Sequence, residues 1–193
     1  ADRDGDADLY VVSGGYEFGA GDPNVRDRLY WNDGRGNLTL QNPSSGPSHL
    51  GTAGTKTELP SAGSRIVSTD FDLDGDLDLF IGGGVVPGRF PESQRSRLLL
   101  NDGKGHFTTV EVPTKGLVKA AIWTDLNSDL RPDLVVAAEW SGLQVFENQN
   151  GTLTENTAAH VSGNTAGLWQ SLAAADFDGD GDLDLMAGNL GLN

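Results

Sequence analysis

The chain has 193 residues, 28 of them acidic and 13 basic, for a formal net charge of −15, which makes nucleic acid and anionic membrane poor partners. Hydrophobic residues make up 37% of it, enough for a core, and no apolar run reaches the length of a membrane span. Cysteine is absent, which removes disulfides, thiolate metal sites and cysteine nucleophiles.

In chain order, the sequence opens on Ala1-Asp2-Arg3-Asp4-Gly5-Asp6-Ala7-Asp8-Leu9, an acidic run that reads as most of a loop. A hairpin signature follows at Arg28-Leu29-Tyr30-Trp31-Asn32-Asp33-Gly34-Arg35-Gly36-Asn37-Leu38-Thr39, two strands around a tight turn. Residues 43–63, rich in Gly, Pro and Ser, read as an insertion. A strand is predicted over residues 64–69, then an acidic loop over 70–78, a short apolar strand ended by Gly82, and a second hairpin over 97–108. The order then recurs: a strand over 119–124, a loop over 125–133 and a shortened hairpin over 143–154. A strand over 169–175, a loop over 176–184 and an apolar run ended by Gly188 complete the series.

Of the 21 aspartates, 17 fall in the four acidic segments. Carboxylates at every second residue repel one another, so the pattern asks for a cation. Oxygen ligands at positions 1, 3, 5, 7 and 9 of a loop can wrap one hard ion, and a Gly at position 6 permits the bend. An all-oxygen cage suits Ca²⁺ better than Zn²⁺, which wants His or Cys, or Mg²⁺, which resists losing its waters. In the second loop the expected ligands are the side chains of Asp70, Asp72, Asp74 and Asp78 and the backbone carbonyl of Asp76. In the fourth they are Asp176, Asp178, Asp180 and Asp184, with the carbonyl of Asp182. The third loop keeps Asp125, Asn127, Asp129 and Asp133, but Leu130 stands at the glycine position and Arg131 at the carbonyl position. One charge fewer and a guanidinium nearby predict weaker binding there, or a loop held by its own hydrogen bonds. The first loop keeps Asp2, Asp4, Asp6 and Asp8 but lacks its opening ligand. A residue before Ala1 would supply it, so the chain is expected to be a piece of a longer one. The plainer explanation is that Asp and Gly are simply turn formers. An EF-hand shares the start of the motif but needs a Glu at position 12, between helices; that position holds Ile81 and Ala187.

The last loop aspartate recurs at Asp8, Asp78, Asp133 and Asp184, intervals of 70, 55 and 51 residues. A unit of four antiparallel strands in about 50 residues describes a β-propeller blade. The predicted fold class is therefore all-β. It comprises a blade over residues 1–42 without its first strand, the insertion 43–63, whole blades over 64–113 and 119–157, and a half blade over 169–193. Three to three-and-a-half blades cannot close a ring. Exposed sheet faces are expected, to be covered by further blades of the same chain or of another.

The Asp-x-Asp-x-Asp-Gly-x-x-Asp-Leu unit, followed by Asn-Asp-Gly-x-Gly-x-Phe-Thr, resembles the FG-GAP/VCBS repeat of integrin α subunits and many bacterial surface proteins. Two phrases, Gly82-Gly83-Gly84-Val85-Val86-Pro87-Gly88-Arg89-Phe90-Pro91 and Gly188-Asn189-Leu190-Gly191-Leu192-Asn193, are similar to a narrower group. These are bacterial cell-envelope proteins related to cartilage acidic protein, of the ASPIC/UnbV type. The resemblance implies a propeller of about seven blades whose acidic loops join the first and second strands of each blade and hold calcium on one face of the disc.

No catalytic constellation stands out, and the chain is expected to be non-enzymatic, with the metal in a structural role. His49, His106 and His160 are far apart in sequence. Gly82-Gly83-Gly84 lacks the Lys-Ser/Thr of a phosphate loop, and there is no Gly-x-Ser-x-Gly elbow. The connections over 14–27 and 84–96 leave the face opposite the acidic loops, and loops on a rigid scaffold carry recognition. Candidate ligand contacts are Tyr16, Phe18, Arg89, Phe90, Arg95 and Trp140, with packing between blades as the alternative for Phe90 and Trp140. The expected function is a calcium-binding module of an exported or cell-surface protein, binding a protein or another envelope component in adhesion. Open oxygen sites of this kind suit extracellular calcium, roughly 10⁻⁴ to 10⁻³ M. The alternative is a carbohydrate-handling propeller, a lectin or a polysaccharide lyase; a lyase needs basic residues gathered in the central cleft, and here they are scattered along the sequence.

Overall fold

A computed structural model describes residues 1–14, 18, 22, 24, 27–41 and 63–191. Tyr16, His49 and the insertion up to residue 62 lie outside the described residues. The structure is all-β and antiparallel apart from one helical turn. A first sheet holds β1 (Leu9–Val11), β2 (Arg28–Asn32) and β3 (Leu38–Leu40) in that order. A second holds β4 (Gly63–Thr69), β5 (Asp78–Gly83), β6 (Ser96–Asn101) and β7 (Phe107–Val112), again in chain order. The β4 strand takes in Gly63, the last residue of the sequence-read insertion.

A third sheet runs β8 (Leu117–Thr124), β9 (Asp133–Ser141), β10 (Gln144–Asn148) and β11 (Leu153–Glu155). Beyond Val136, where β10 joins it, β9 continues to Ser141. That end pairs with the start of β12 (Gly167–Ala175), through Gly167 with Ser141 and Leu168 with Glu139. The half blade of β12 and β13 (Asp184–Asn189) is thus hydrogen-bonded to the blade before it. The helical turn, α1 (Thr157–His160), follows β11 at a place where the sequence carries no helix prediction; His160 Nε2 lies 2.8 Å from Glu147 Oε1 on β10.

The first strands β4, β8 and β12 lie side by side, and each carries a bulge at the same station. The register slips at Ser64, Lys119 and Gln170, each followed by five paired residues before the acidic loop. A bulge adds twist and re-aims a side chain, and here the bulged residues stitch blades together. Ser64 Oγ donates to the Val118 carbonyl on β8, and Gln170 Nε2 donates to Glu139 Oε1 on β9 at 2.7 Å. Close approach explains Gly82 on β5, where a Cβ would sit 2.5 Å from Val118 Cγ1.

The core lies between the second and third sheets. Phe71, Phe80, Leu98 and Val112 from one side pack with Val118, Ala121, Leu134, Val136 and Phe146 from the other. Trp123 leans on Phe71 and stands edge-on to Phe80, with ring centroids 5.7 and 6.4 Å apart. Leu98 and Leu100 on β6 and Phe146 on β10 bring one face of each strand into this layer. Among the described residues, the outermost sheets have a neighbour on one side only, and Leu9, Leu38, Leu40 and Met186 are exposed.

Candidate functional site: the acidic loops

Each acidic loop is built the same way. It leads into the second strand of its blade, and two residues take left-handed backbone at positions 4 and 6: Arg3 and Gly5, Leu73 and Gly75, Ser128 and Leu130, Gly179 and Gly181. Glycine suits such a φ; Leu130 adopts φ +65° without it, so the third loop keeps the bend despite its sequence. The aspartate at position 9 closes the loop. Asp78 Oδ2 accepts the Phe71 N–H at 2.9 Å and its Oδ1 accepts the Asn101 N–H, from the end of β6, at 2.8 Å. Asp133 does the same with Leu126 and Asn148, and Asp184 Oδ2 accepts from Phe177. Asp8 accepts from Asn32 and from the Ala1 amine. In the first three loops this one residue therefore ties the loop's start, the second strand and the third strand. Burial pushes the carboxyls of Asp78 and Asp133 above the usual range, even against these two N–H bonds.

The position-1 and position-3 carboxylates converge on that closing residue. In the second loop, oxygens of Asp70, Asp72 and Asp78 lie within 4.8 Å of one another, and in the fourth those of Asp176, Asp178 and Asp184 do. That span is about twice a calcium–oxygen bond of 2.3–2.6 Å, so all three oxygens of a trio can touch one ion. Asp74 and Asp180, also expected as side-chain ligands, are not in the trios; an oxygen of each accepts a backbone N–H two residues on, from Asp76 and Asp182. In the first and third loops no trio of carboxylates converges among the described residues. The residues of the second loop pass a further test of fit for a cation. Asp70 Oδ1 and Asp76 Oδ1 are buried without a hydrogen-bond partner, an arrangement that is costly unless a positive charge supplies the missing contact.

Two arginines enter these loops, one of them unforeseen. In the third loop Arg131, at the carbonyl position, turns its guanidinium back onto Asp129 Oδ2 at 2.8 Å and its Nε onto the Asn148 carbonyl at 3.1 Å. Asp125 and Asn127 there accept backbone N–H groups of Asp129 and Leu130. Arg3 of the first loop crosses to the second, where its Nη2 meets the Asp74 carbonyl (2.9 Å), Asp74 Oδ1 (3.2 Å) and Asp76 Oδ2 (2.9 Å). Burial and the carboxylates of Asp74, Asp78 and Asp72 push Asp76 up to about 6, against the pull of Arg3. A second link between the same blades is buried. Asp27 Oδ2 lies 3.4 Å from Arg97 Nη2 on β6 and accepts from the Tyr10 hydroxyl, while its Oδ1 accepts the Ser13 N–H. Sequence reading missed both links; the one trace of the second is an arginine opening the apolar run Leu98-Leu99-Leu100.

The other candidate residues fall in two groups. Phe90 and Trp140, from neighbouring blades, stand edge to face 5.4 Å apart, and both remain over half exposed, at 64% and 53%. Trp140 holds φ +59°, strained for a bulky side chain. The segment that carries Phe90 is fixed by its own backbone bonds, among them Val86 N to the Glu92 carbonyl and Gln94 N to the Gly84 carbonyl. Arg89 pairs with Glu92 at 2.7 Å, and Arg95 turns to Glu111 on β7 at 2.6 Å. Phe18 is exposed. A depression of about 230 Å³ over the first strands β4, β8 and β12 is lined by Arg65, Lys119 and Gln170, among others. Arg65 Nε donates there to the Lys119 carbonyl, while Lys119 Nζ pairs with Glu139 Oε2 at 3.3 Å.

Successive antiparallel blades, joined along their first strands and each led by an acidic loop, define a propeller-like repeat protein. The family model of the FG-GAP-like repeat matches residues 70–136 and again 125–187. Each match begins on the first aspartate of an acidic loop and runs past the next one. Together they span more than half of the chain, which belongs to the FG-GAP-like repeat family. No curated protein matches the chain. Among the described residues, no helix is long and apolar enough to cross a membrane.

Proposed function

We propose that the chain is a non-enzymatic calcium-binding propeller module of an exported or cell-surface protein, in which Ca²⁺ stabilises the blades and the opposite face binds a protein or glycan. The observation that carries the metal reading is the pair of converging trios, Asp70, Asp72, Asp78 and Asp176, Asp178, Asp184, with the orphaned Oδ1 atoms of Asp70 and Asp76 beside the first. Hard oxygen donors without His or Cys favour calcium over zinc. A bound divalent ion would supply the positive charge that these carboxylates lack. The remaining work is done by the chain: Asp78 and Asp184 pin the loops, and the left-handed residues bend them.

Calorimetric titration of the chain with Ca²⁺ tests this. Uptake is expected, together with a melting temperature that rises with calcium. Asp72→Asn and Asp178→Asn should each remove one equivalent, because each neutralises one corner of a trio. Titration curves that are flat, or unchanged in both variants, would sink the reading.

The related reading of a carbohydrate-handling propeller draws support from the exposed Phe90–Trp140 pair. Aromatic faces suit sugar rings. A glycan array, run beside an assay for release of unsaturated uronides, separates a lectin from a lyase. The exposed outer sheets support completion of the disc by further blades of this chain or of another.

A further inference from the structure

We propose that Arg3 and a metal ion are competing counter-ions of the second loop, so that metal binding there is antagonised by a tie between two blades. The inference rests on the metal reading above and adds a regulator to that site. A single guanidinium nitrogen reaches three acceptors across the blade boundary: the Asp74 carbonyl, Asp74 Oδ1 and Asp76 Oδ2. The side chain of Asp76 is 2% exposed, so its contact with Arg3 is an ion pair with one partner out of water. Its second oxygen, Oδ1, is buried without any partner. One guanidinium therefore leaves the loop's charge only partly met.

Arg3 is also held for this task. Its Nε and Cζ lie over Gly103 in the hairpin turn of the second blade, where an added Cβ would come within 2.7 Å of Nε. The third loop applies the same remedy within itself, Arg131 on Asp129. In the fourth loop no basic side chain pairs with an aspartate among the described residues.

A cation already seated on a site's carboxylates weakens the binding of a second cation, and the coupling is reciprocal. Metal uptake by the second loop therefore loosens the hold of Arg3, and the Arg3 tie lowers the loop's affinity for metal. A loop with a built-in monovalent counter-ion stays folded when calcium is scarce and loads only when calcium is high.

The test uses the chain with its fourth loop silenced by Asp176→Asn and Asp178→Asn, so that calorimetry reads the second loop. Arg3→Gln in that background is expected to bind Ca²⁺ about threefold to tenfold more tightly. Arg3→Lys, which keeps a unit charge, should stay near the parent. In chelator the Arg3→Gln protein should melt lower than the parent, and saturating calcium should close that gap. Unchanged or weaker binding in Arg3→Gln, or a melting deficit that calcium leaves in place, would overturn the antagonism while the metal reading stands. An absence of uptake in the parent as well would overturn both.

Discussion

Leu130 holds a left-handed backbone that the other complete acidic loops give to glycine, and its side chain is 84% exposed, so no packing repays the strain. Such strain costs about 1–2 kcal/mol, and glycine's extra chain entropy returns part of that. Leu130→Gly is therefore expected to stabilise the chain by about 0.5–1 kcal/mol in urea denaturation. Asp27 has a pH signature. Burial raises its pKa despite the bonds from Ser13 and Arg97. A raised value means that the folded state binds the proton more tightly, so this contribution is present below the unfolded value, near 3.9. It is lost as pH rises through the higher folded value. Stability measured in chelator from pH 4 upwards should contain this falling component, and Asp27→Asn should lack it. At this scale the ligand-type residues were legible because their spacing is a local property. The partners of Asp74, Asp76 and Asp27 were not, because Arg3 and Arg97 reach them across a blade boundary that spacing does not encode.

At the scale of the element, strands and hairpins were readable from apolar runs and from the turn signals Asn-Asp-Gly and Asn-Gly. Asp33 and Asp102 each accept backbone N–H groups two and four residues on, which is why those turns announce themselves. The three bulges were not readable, since a single unpaired residue leaves no mark on a period of two once the strand is partly exposed. Gly82 is the element-scale feature with a sharp consequence. Its Cα faces the Val118 side chain on the next blade, and an added methyl would overlap Cγ1. Gly82→Ala is expected to cost about 1–3 kcal/mol, read as a lower urea midpoint with an unchanged slope.

At the largest scale, the second and third blades share a core, and among the described residues the outer ones contribute nothing to it. The recurrence of the acidic loop was legible in the sequence, and the sharing of Phe71, Phe80 and Trp123 between two blades was not. The four loops should accordingly differ in their dependence on cation. Chelation followed by hydrogen exchange should strip protection first from residues 176–189, where the loop is exposed and has no basic partner. Residues 125–133, tied by Arg131 and by the Asp133 bonds to Leu126 and Asn148, should hold. Equal loss in both regions would contradict this gradient.

The asparagine that ends the third strand gives the assembly a direction. Asn101 Nδ2 donates to the Ala1 carbonyl and Asn148 Nδ2 to the Phe71 carbonyl, in each case the second residue of the preceding blade's loop. Through this bond the second blade grips the first, and the third grips the second. The two sides of such a blade are therefore chemically unlike, as the ends of a one-way chain are. Whatever extends it through this bond joins head to tail, and a two-fold symmetric pairing of identical sides has no use for it.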